Sequence, residues 1–280
     1  METIRMLRLM QETSRRHTAK GKSIGFVPTM GALHDGHLSL IRRSKDENDI
    51  VVASVFVNPM QFGPNEDFDR YPRDIEGDRE KLEKSGADVL FIPEAKMIYP
   101  QGFATRVHVD ALSERLCGAF RPGHFSGVAT VVCKLLNIAR PTRAYFGQKD
   151  FQQTVVIRRM AEDLNIGVDI VVCPTVREPG GLAMSSRNAY LGAEERKAAG
   201  AINGALQAAA SVLRSASGTV PEAVSAMKSV LDKEQLISEI QYAGVYDPLT
   251  LSEAADEGKE KLIAVAVKIG RTRLIDNILI

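Results

Sequence analysis

Ile24-Gly25-Phe26-Val27-Pro28-Thr29-Met30-Gly31-Ala32-Leu33-His34-Asp35-Gly36-His37-Leu38-Ser39-Leu40 runs from a short apolar strand, through a loop with two glycines and two histidines, into a helical pattern. The same grammar recurs on either side. Ser23 to Val27, Ile50 to Val57, Val89 to Ile92, Ala144 to Phe146 and Val168 to Val172 read as strands. Leu38 to Asp46, Asp74 to Lys84, Phe125 to Ala139 and Lys149 to Leu164 have helical spacing. Strands separated by helices imply parallel βαβ units, so residues 1–175 are expected to form an α/β, doubly wound parallel sheet of Rossmann-like type. Beyond them, a Gly/Ser/Pro loop leads to Ala-rich helices at Ala193 to Ser215 and Val220 to Asp232. Strands follow at Ile237 to Tyr246, Leu262 to Ile269 and Arg273 to Ile280. Residues 176–280 are therefore expected to form a smaller α+β domain.

The 280 residues carry 36 Lys+Arg against 35 Asp+Glu, a net charge of +1, with 44% hydrophobic residues. That balance is ordinary for a globular protein and argues against a nucleic-acid partner. Met1 to Arg16 is interrupted by charges, reads as an amphipathic helix and lacks the apolar run of a secretory signal. Ile50 to Val57, the longest apolar run, is far short of the roughly 20 residues that span a bilayer, so no membrane association is expected. Cys117, Cys133 and Cys173 are odd in number and widely spaced, which suits three buried free thiols in a cytoplasmic protein.

In doubly wound sheets, ligands bind beyond the carboxyl ends of the strands, so the informative residues lie just after each strand. No two glycines stand at i, i+2, which removes a G-x-G-x-x-G dinucleotide loop; Gly21-Lys22-Ser23 precedes a strand and reads as a turn, not a Walker A loop. The loop after the first strand is different. Gly31 and Gly36 permit close backbone approach, and His34 and His37 stand at a helix N-terminus, where an anion such as a triphosphate docks. Half a metal site, or histidines that merely cap the helix, are the alternatives at this point.

Asn58 and Gln61, in Asn58-Pro59-Met60-Gln61-Phe62, place uncharged donors and acceptors after the second strand and suit a polyhydroxy carboxylate. The Asn65-Glu66-Asp67 run reads as solvated, and an acid near Asp78 is a weak candidate for Mg²⁺. Arg121 and His124, in Arg121-Pro122-Gly123-His124, are either substrate contacts or loop polar groups. Lys149, in Gly147-Gln148-Lys149-Asp150, sits at a helix start as a phosphate ligand, with Gln153 one turn on. Ser185-Ser186-Arg187 combines two hydroxyls with a guanidinium, which suits phosphate, although a Ser-rich interdomain linker is the plainer reading of that stretch alone.

The ordered set PTMGALHDGH, NPMQF, RPGHFSGV, FGQKDFQQ and GLAMSSRN, across residues 28–188, resembles the pantothenate synthetases, the pantoate–β-alanine ligases of the HIGH-type nucleotidyltransferase superfamily. The resemblance implies condensation of (R)-pantoate with β-alanine, using ATP and Mg²⁺, through a pantoyl-adenylate that releases diphosphate and then AMP. It assigns ATP to Met30, Gly31, Ala32, Leu33, His34, Asp35, Gly36 and His37, to Gly147, Gln148, Lys149 and Asp150, and to Val176, Met184, Ser185, Ser186 and Arg187. His34, His37, Lys149 and Arg187 are implied to be catalytic, with His37 the proton donor. Gln61, Gln153 and the nearby Asn58 are implied to bind pantoate, and Gln61 β-alanine. Gly77 stands where relatives commonly carry an acid before the residue matching Asp78, which weakens Asp78 as a metal position. A homodimer through the larger domain is also implied, with Ile50 to Val57 either an interface edge or a buried central strand.

Two rival readings differ in what they require of these residues. A nucleotidyltransferase for a phosphorylated acceptor calls for more Arg or Lys around Asn58, Gln61 and Gln153. A non-catalytic nucleotide binder need not keep His34, His37 and Lys149 together.

Overall fold

Ile24–Thr29 is apolar on both faces, and a strand of that kind is stable only where both faces are covered. In the computed structural model, which describes residues 1–64, 66–256 and 260–280, it lies inside a parallel sheet. The chain order is β1 (Glu2–Ile4), α1 (Leu7–Thr18), β2 (Ile24–Thr29), α2 (Asp35–Glu47), β3 (Ile50–Val55), α3 (Ile75–Lys84), β4 (Val89–Phe91), α4 (Ala95–Ile98), α5 (Cys117–Phe120), α6 (His124–Ala139), β5 (Arg143–Gly147), α7 (Phe151–Asp163) and β6 (Asp169–Cys173). There follow α8 (Ala193–Ala198), α9 (Gly200–Arg214), α10 (Val220–Leu231), β7 (Ile237–Tyr246), β8 (Leu262–Ile269) and β9 (Thr272–Leu279).

The first sheet has the order β1-β4-β3-β2-β5-β6, with every pairing parallel. The chain moves outward from β2 through β3 and β4, then returns to add β5 and β6 on the other side. The switch in direction therefore lies between β2 and β5, where a doubly wound sheet opens a crevice at its carboxyl edge. The doubly wound α/β expectation holds. β3 is central, with all six residues buried, so it is not an interface edge. The expected helix at Met1 to Arg16 also needs correction: Glu2–Ile4 is an edge strand parallel to β4, and the helix begins at Leu7.

Two compact units divide the chain. The first comprises Met1–Glu114, Arg121–Gly147 and Gln153–Pro174; the second comprises Arg115–Phe120, Gln148–Gln152 and Thr175–Ile280. In the second unit, β7, β8 and β9 form an antiparallel sheet with its own core, which includes Ile263, Val265, Val267 and the small residues Ala205, Ala209, Ala210 and Ala223 of the helices. The expected continuous Ala-rich helix is broken at Ala199, and Gly200 opens its second piece. Glycine weakens a helix interior, and the Gly180 carbonyl approaches so closely that a Cβ on Gly200 would lie 3.2 Å from it. All three cysteines are free, with Cys117 and Cys173 buried; Cys133 is only half-buried, against expectation.

The fit of α2 against the first sheet is set by a glycine and a buried polar cluster. A Cβ on Gly25 would overlap Ser44 Oγ and lie 2.7 Å from Asn48 Nδ2. Asn48 Nδ2 donates to Tyr145 Oη at 2.6 Å, and Tyr145 Oη donates to Glu47 at 2.8 Å, tying the end of α2 to β5. Burial, reinforced by the hydrogen bond to Glu47, pushes the Tyr145 hydroxyl up to about 12. Gly25→Ala is therefore expected to cost about 1 to 3 kcal/mol through overpacking, read as a lower urea midpoint at unchanged m-value; an unchanged midpoint would show that α2 can withdraw freely.

Candidate active site

The chain leaves β2 at Thr29 and turns through two left-handed residues, Gly31 at φ +85° and Ala32 at φ +51°. A turn of this kind makes the following N–H groups converge and so presents a natural seat for an anion. Here the anion is part of the protein. Asp78, on α3 and 1% exposed, accepts from Ala32 N at 2.8 Å and from Leu33 N at 2.7 Å. Lys81, one turn on, donates to the Leu33 carbonyl at 2.9 Å, so α3 holds both the N–H and the carbonyl of Leu33. Burial raises Asp78 above the ordinary carboxylate value, while the two N–H donors and Lys81 oppose that rise. Both Asp78 oxygens thus serve the loop, and among the described residues no group of three His, Cys, Asp or Glu could hold a metal.

The clamped loop delivers His34 as the N-cap of α2 and His37 to its first turn. Their rings lie 4.1 Å apart, tilted by 38°, and the His34 N–H points at His37 Nδ1 from 3.5 Å. The helix N-terminus adds the positive end of its dipole, and the His37 N–H donates to the His34 carbonyl at 2.8 Å. Asp35 is exposed, in the first turn of α2.

Beside this loop is a chain of neutral amides. Gln61 Nε2 lies 3.0 Å from Met30 Sδ and Gln61 Oε1 accepts from Asn58 Nδ2 at 3.0 Å, so three residues marked in the sequence are joined. Asn58 is 1% exposed and its other bonds are internal: Nδ2 donates to the Gly127 carbonyl at 3.1 Å, and Oδ1 accepts from Met60 N at 3.2 Å and Tyr99 Oη at 2.7 Å. With both amide hydrogens and both acceptor sites used, Asn58 orients Gln61. Tyr99 gave no signal in the sequence, because its partner is 41 positions away.

Arg121 and His124 prove to be the frame of the same loop. Arg121 pairs with Glu66 at 2.6 and 2.5 Å and donates to His124 Nε2 at 3.0 Å, while His124 Nδ1 donates to the Gln61 carbonyl at 2.8 Å. Glu66 was expected to be solvated, as was Asn65, which lies outside the described residues. Burial pushes Glu66 upward, but the Arg121 hydrogen bond and charge outweigh it and hold the carboxyl below its ordinary value. Gly127 completes the frame: a Cβ there would overlap the Met60 carbonyl and lie 2.8 Å from Gln61 N.

In the second unit, Gln148, Lys149 and Asp150 form a 3₁₀ turn, and α7 begins only at Phe151, two residues later than expected for that helix. The Lys149 side chain is 19% exposed, with Nζ 3.9 Å from Asp150 Oδ1. Val176 and Met184 are brought together across a tight hairpin, with Met184 N donating to the Val176 carbonyl at 2.9 Å. Ser185 caps the following 3₁₀ turn, Ser186–Tyr190, by accepting from Arg187 N at 3.3 Å. Asn188 Nδ2 donates to Glu178 at 2.8 Å, and Arg196 closes the set on Glu178 at 2.7 Å. Gln153, on α7, belongs to the first unit.

A family model described as pantoate-beta-alanine ligase matches residues 2–279. The chain belongs to the pantoate-beta-alanine ligase family. A pantothenate synthetase from Thermodesulfovibrio yellowstonii is 59% identical over 281 residues, covering 100% of both chains. The crystal structure of the pantothenate synthetase from Thermus thermophilus superposes with a TM-score of 0.95 at 46% identity, covering 99% of each chain. A pantoate-beta-alanine ligase from Francisella tularensis, crystallised with beta-gamma ATP and beta-alanine, superposes with a TM-score of 0.80 at 37% identity, covering 100% of this chain and 97% of that one. Membership in this family makes the chain a ligase and supports pantothenate as its product. No helix among the described residues is long and apolar enough to cross a membrane.

The Glu66–Arg121 pair gives a pH-dependent test of the frame around Gln61. A carboxyl held low in the folded state stabilises it fully above its unfolded value, near 4.5, and loses that contribution as pH falls through the folded value. Glu66→Gln is expected to lower stability by about 1 to 3 kcal/mol at pH 7, with the gap to wild type in denaturant unfolding closing below pH 4.5. A gap independent of pH would assign the loss to packing.

Proposed function

We propose that the chain condenses (R)-pantoate with β-alanine, using ATP, by way of a pantoyl-adenylate. The observation that carries this reading is the neutral Tyr99–Asn58–Gln61 chain, joined to Met30 of the loop that ends in His34 and His37. Amide groups suit a hydroxy acid with a single carboxylate, whereas a phosphorylated acceptor would call for cations there. In the first step a pantoate carboxylate oxygen attacks the α-phosphorus, the acyl–phosphate bond forms and diphosphate leaves. In the second, the β-alanine amine attacks the acyl carbon, an amide forms, AMP leaves and the amine gives up its proton.

Neither step requires a protein nucleophile; both require alignment and stabilisation of developing charge. On this reading Met30 to His37, Gly147 to Asp150, Val176 and Met184 to Arg187 hold ATP, and Gln61 and Gln153 hold pantoate. Gln61 also meets β-alanine. His34, His37, Lys149 and Arg187 stabilise charge on the departing diphosphate, with His37 as proton donor. Mg²⁺ would be brought by ATP and would offset the charge of its phosphates; Asp78 does not fit as a direct ligand, because both oxygens brace Ala32 and Leu33. The same reading takes the protein as a cytoplasmic homodimer, with residues 1–175 binding substrates and residues 176–280 acting as a lid.

Exchange of labelled diphosphate into ATP, dependent on pantoate and proceeding without β-alanine, is the direct test. Addition of β-alanine should then yield AMP and pantothenate. Folded protein that binds ATP but shows neither exchange nor product would overturn the proposal. Each of His37→Ala and Lys149→Ala is expected to lower turnover by about 10² to 10³ without unfolding the chain; turnover near that of wild type would remove the residue from its role.

A further inference from the structure

Two adjacent polar residues, Asp276 and Asn277, are buried in β9, at 3% and 4% exposure, in a unit whose core is built of Ile, Val, Leu, Ala and Met. Buried polar groups cost stability unless every bond is made, and here the bonds lead to two separate segments. Asn277 Nδ2 donates to the carbonyls of Gln148 and Lys149, both at 2.9 Å, and Gln148 Nε2 returns a longer bond to Asn277 Oδ1 at 3.4 Å. Asp276 receives Arg177 in a two-pronged pair, 2.5 and 3.0 Å, and accepts from Asn277 N at 2.8 Å. Arg177 also donates to the Gly181 carbonyl at 3.0 Å, closing the hairpin whose strands carry Val176 and Met184 and which leads directly into Ser185.

The geometry is selective at each end. Successive carbonyls of a strand point to opposite sides, but those of a 3₁₀ turn share a direction, so one amino group reaches two of them only if Gln148–Asp150 keeps its turn. Successive side chains of a strand leave on opposite faces, which lets neighbouring residues hold different segments. Burial raises Asp276 above the ordinary carboxylate value, while Arg177 and the more distant Lys149 charge favour its ionised form. A carboxylate in such a setting is retained only with its guanidinium partner in place.

We propose that Asp276 and Asn277 are positioning residues for ATP: Asn277 sets the path of Gln148 and Lys149, and Asp276, through Arg177, sets the base of the hairpin that presents Ser185 to Arg187. The proposal rests on the reading of those two segments as nucleotide-binding. It separates positioning from contact, since neither residue need touch the nucleotide.

Asn277→Asp keeps the side-chain shape, removes the amino donors and turns a carboxylate oxygen toward two carbonyls. Equilibrium binding of ATP with Mg²⁺, and KM for ATP and for pantoate, are measured on the full chain together with Tm. ATP affinity is expected to fall about 10- to 100-fold, with the KM for pantoate unchanged. Asn277→Ser, which keeps one hydroxyl donor, should fall between the two and takes the place of Asn277→Asp if that variant does not fold. Asp276→Asn, which weakens the hold on Arg177, should weaken ATP binding in the same selective way.

ATP binding equal to wild type in folded Asn277 variants overturns the proposal. So do losses of ATP and pantoate affinity in step with a lower Tm, because they signify a general structural role. Selective weakening of ATP binding in a protein that shows no pantoate-dependent exchange would uphold positioning while removing the ligase route. A wild-type chain that does not bind ATP would overturn both.

Discussion

The carboxylate of Asp78 takes the N–H groups of Ala32 and Leu33, and the course of the chain out of the central strand follows from that pair of bonds. An alanine at φ +51° is unfavourable unless the surroundings hold it there. α3 supplies the hold from both sides, through Asp78 on the amides and Lys81 on the carbonyl, and α3 is itself anchored by Leu82 in the core of the sheet. The two histidines at the start of α2 inherit their placement from this grip. A loop rich in glycine is thereby made rigid without losing the close backbone approach that glycine allows.

A similar division of labour appears around Gln61. Its side chain is set by Asn58 and Met30, and its carbonyl by His124 and Arg121, so side chain and backbone are fixed by different elements. The imidazole of His124 donates through Nδ1 and accepts through Nε2, which commits it to one tautomer and to structure. In the second unit, a buried Asp–Asn step on the last strand does for two loops what α3 does for one. Polar groups in both units are therefore buried where they fix backbone, and the groups assigned to charge stabilisation extend from the backbone so fixed.

The parallel βαβ order was legible in the sequence because each central strand is apolar on both faces and each is followed by a loop with its own chemistry. Glu2–Ile4 was not, since three residues beside an amphipathic pattern carry too little periodicity to stand apart from the helix that follows. The break at Ala199 falls beside Gly200, against which the Gly180 carbonyl packs, a tertiary neighbour invisible to local propensity. Among the candidate site residues, His34, His37, Gln61 and Lys149 announced themselves by following strands. Tyr99, Asp276 and Asn277 did not, because each acts through partners 41 to 129 positions away and sits in no motif. Asn58 was visible by position but not by role: only its four internal bonds reveal that it orients its neighbour.

If Gln61 binds pantoate as proposed, the absence of room at Gly127 bears on how that site could be redesigned. Because the Met60 carbonyl rests directly on the glycine face of α6, the loop bearing Gln61 cannot retreat to admit a bulkier acid, nor can α6 advance on it. Enlargement must come from trimming side chains, and trimming Asn58 would leave the Tyr99 hydroxyl and the Gly127 carbonyl to be re-paired. On the proposed assignment of Gln61 to pantoate, redesign toward longer hydroxy acids would begin at the side chains of Met30 or Gln61, because the backbone around them is held in place.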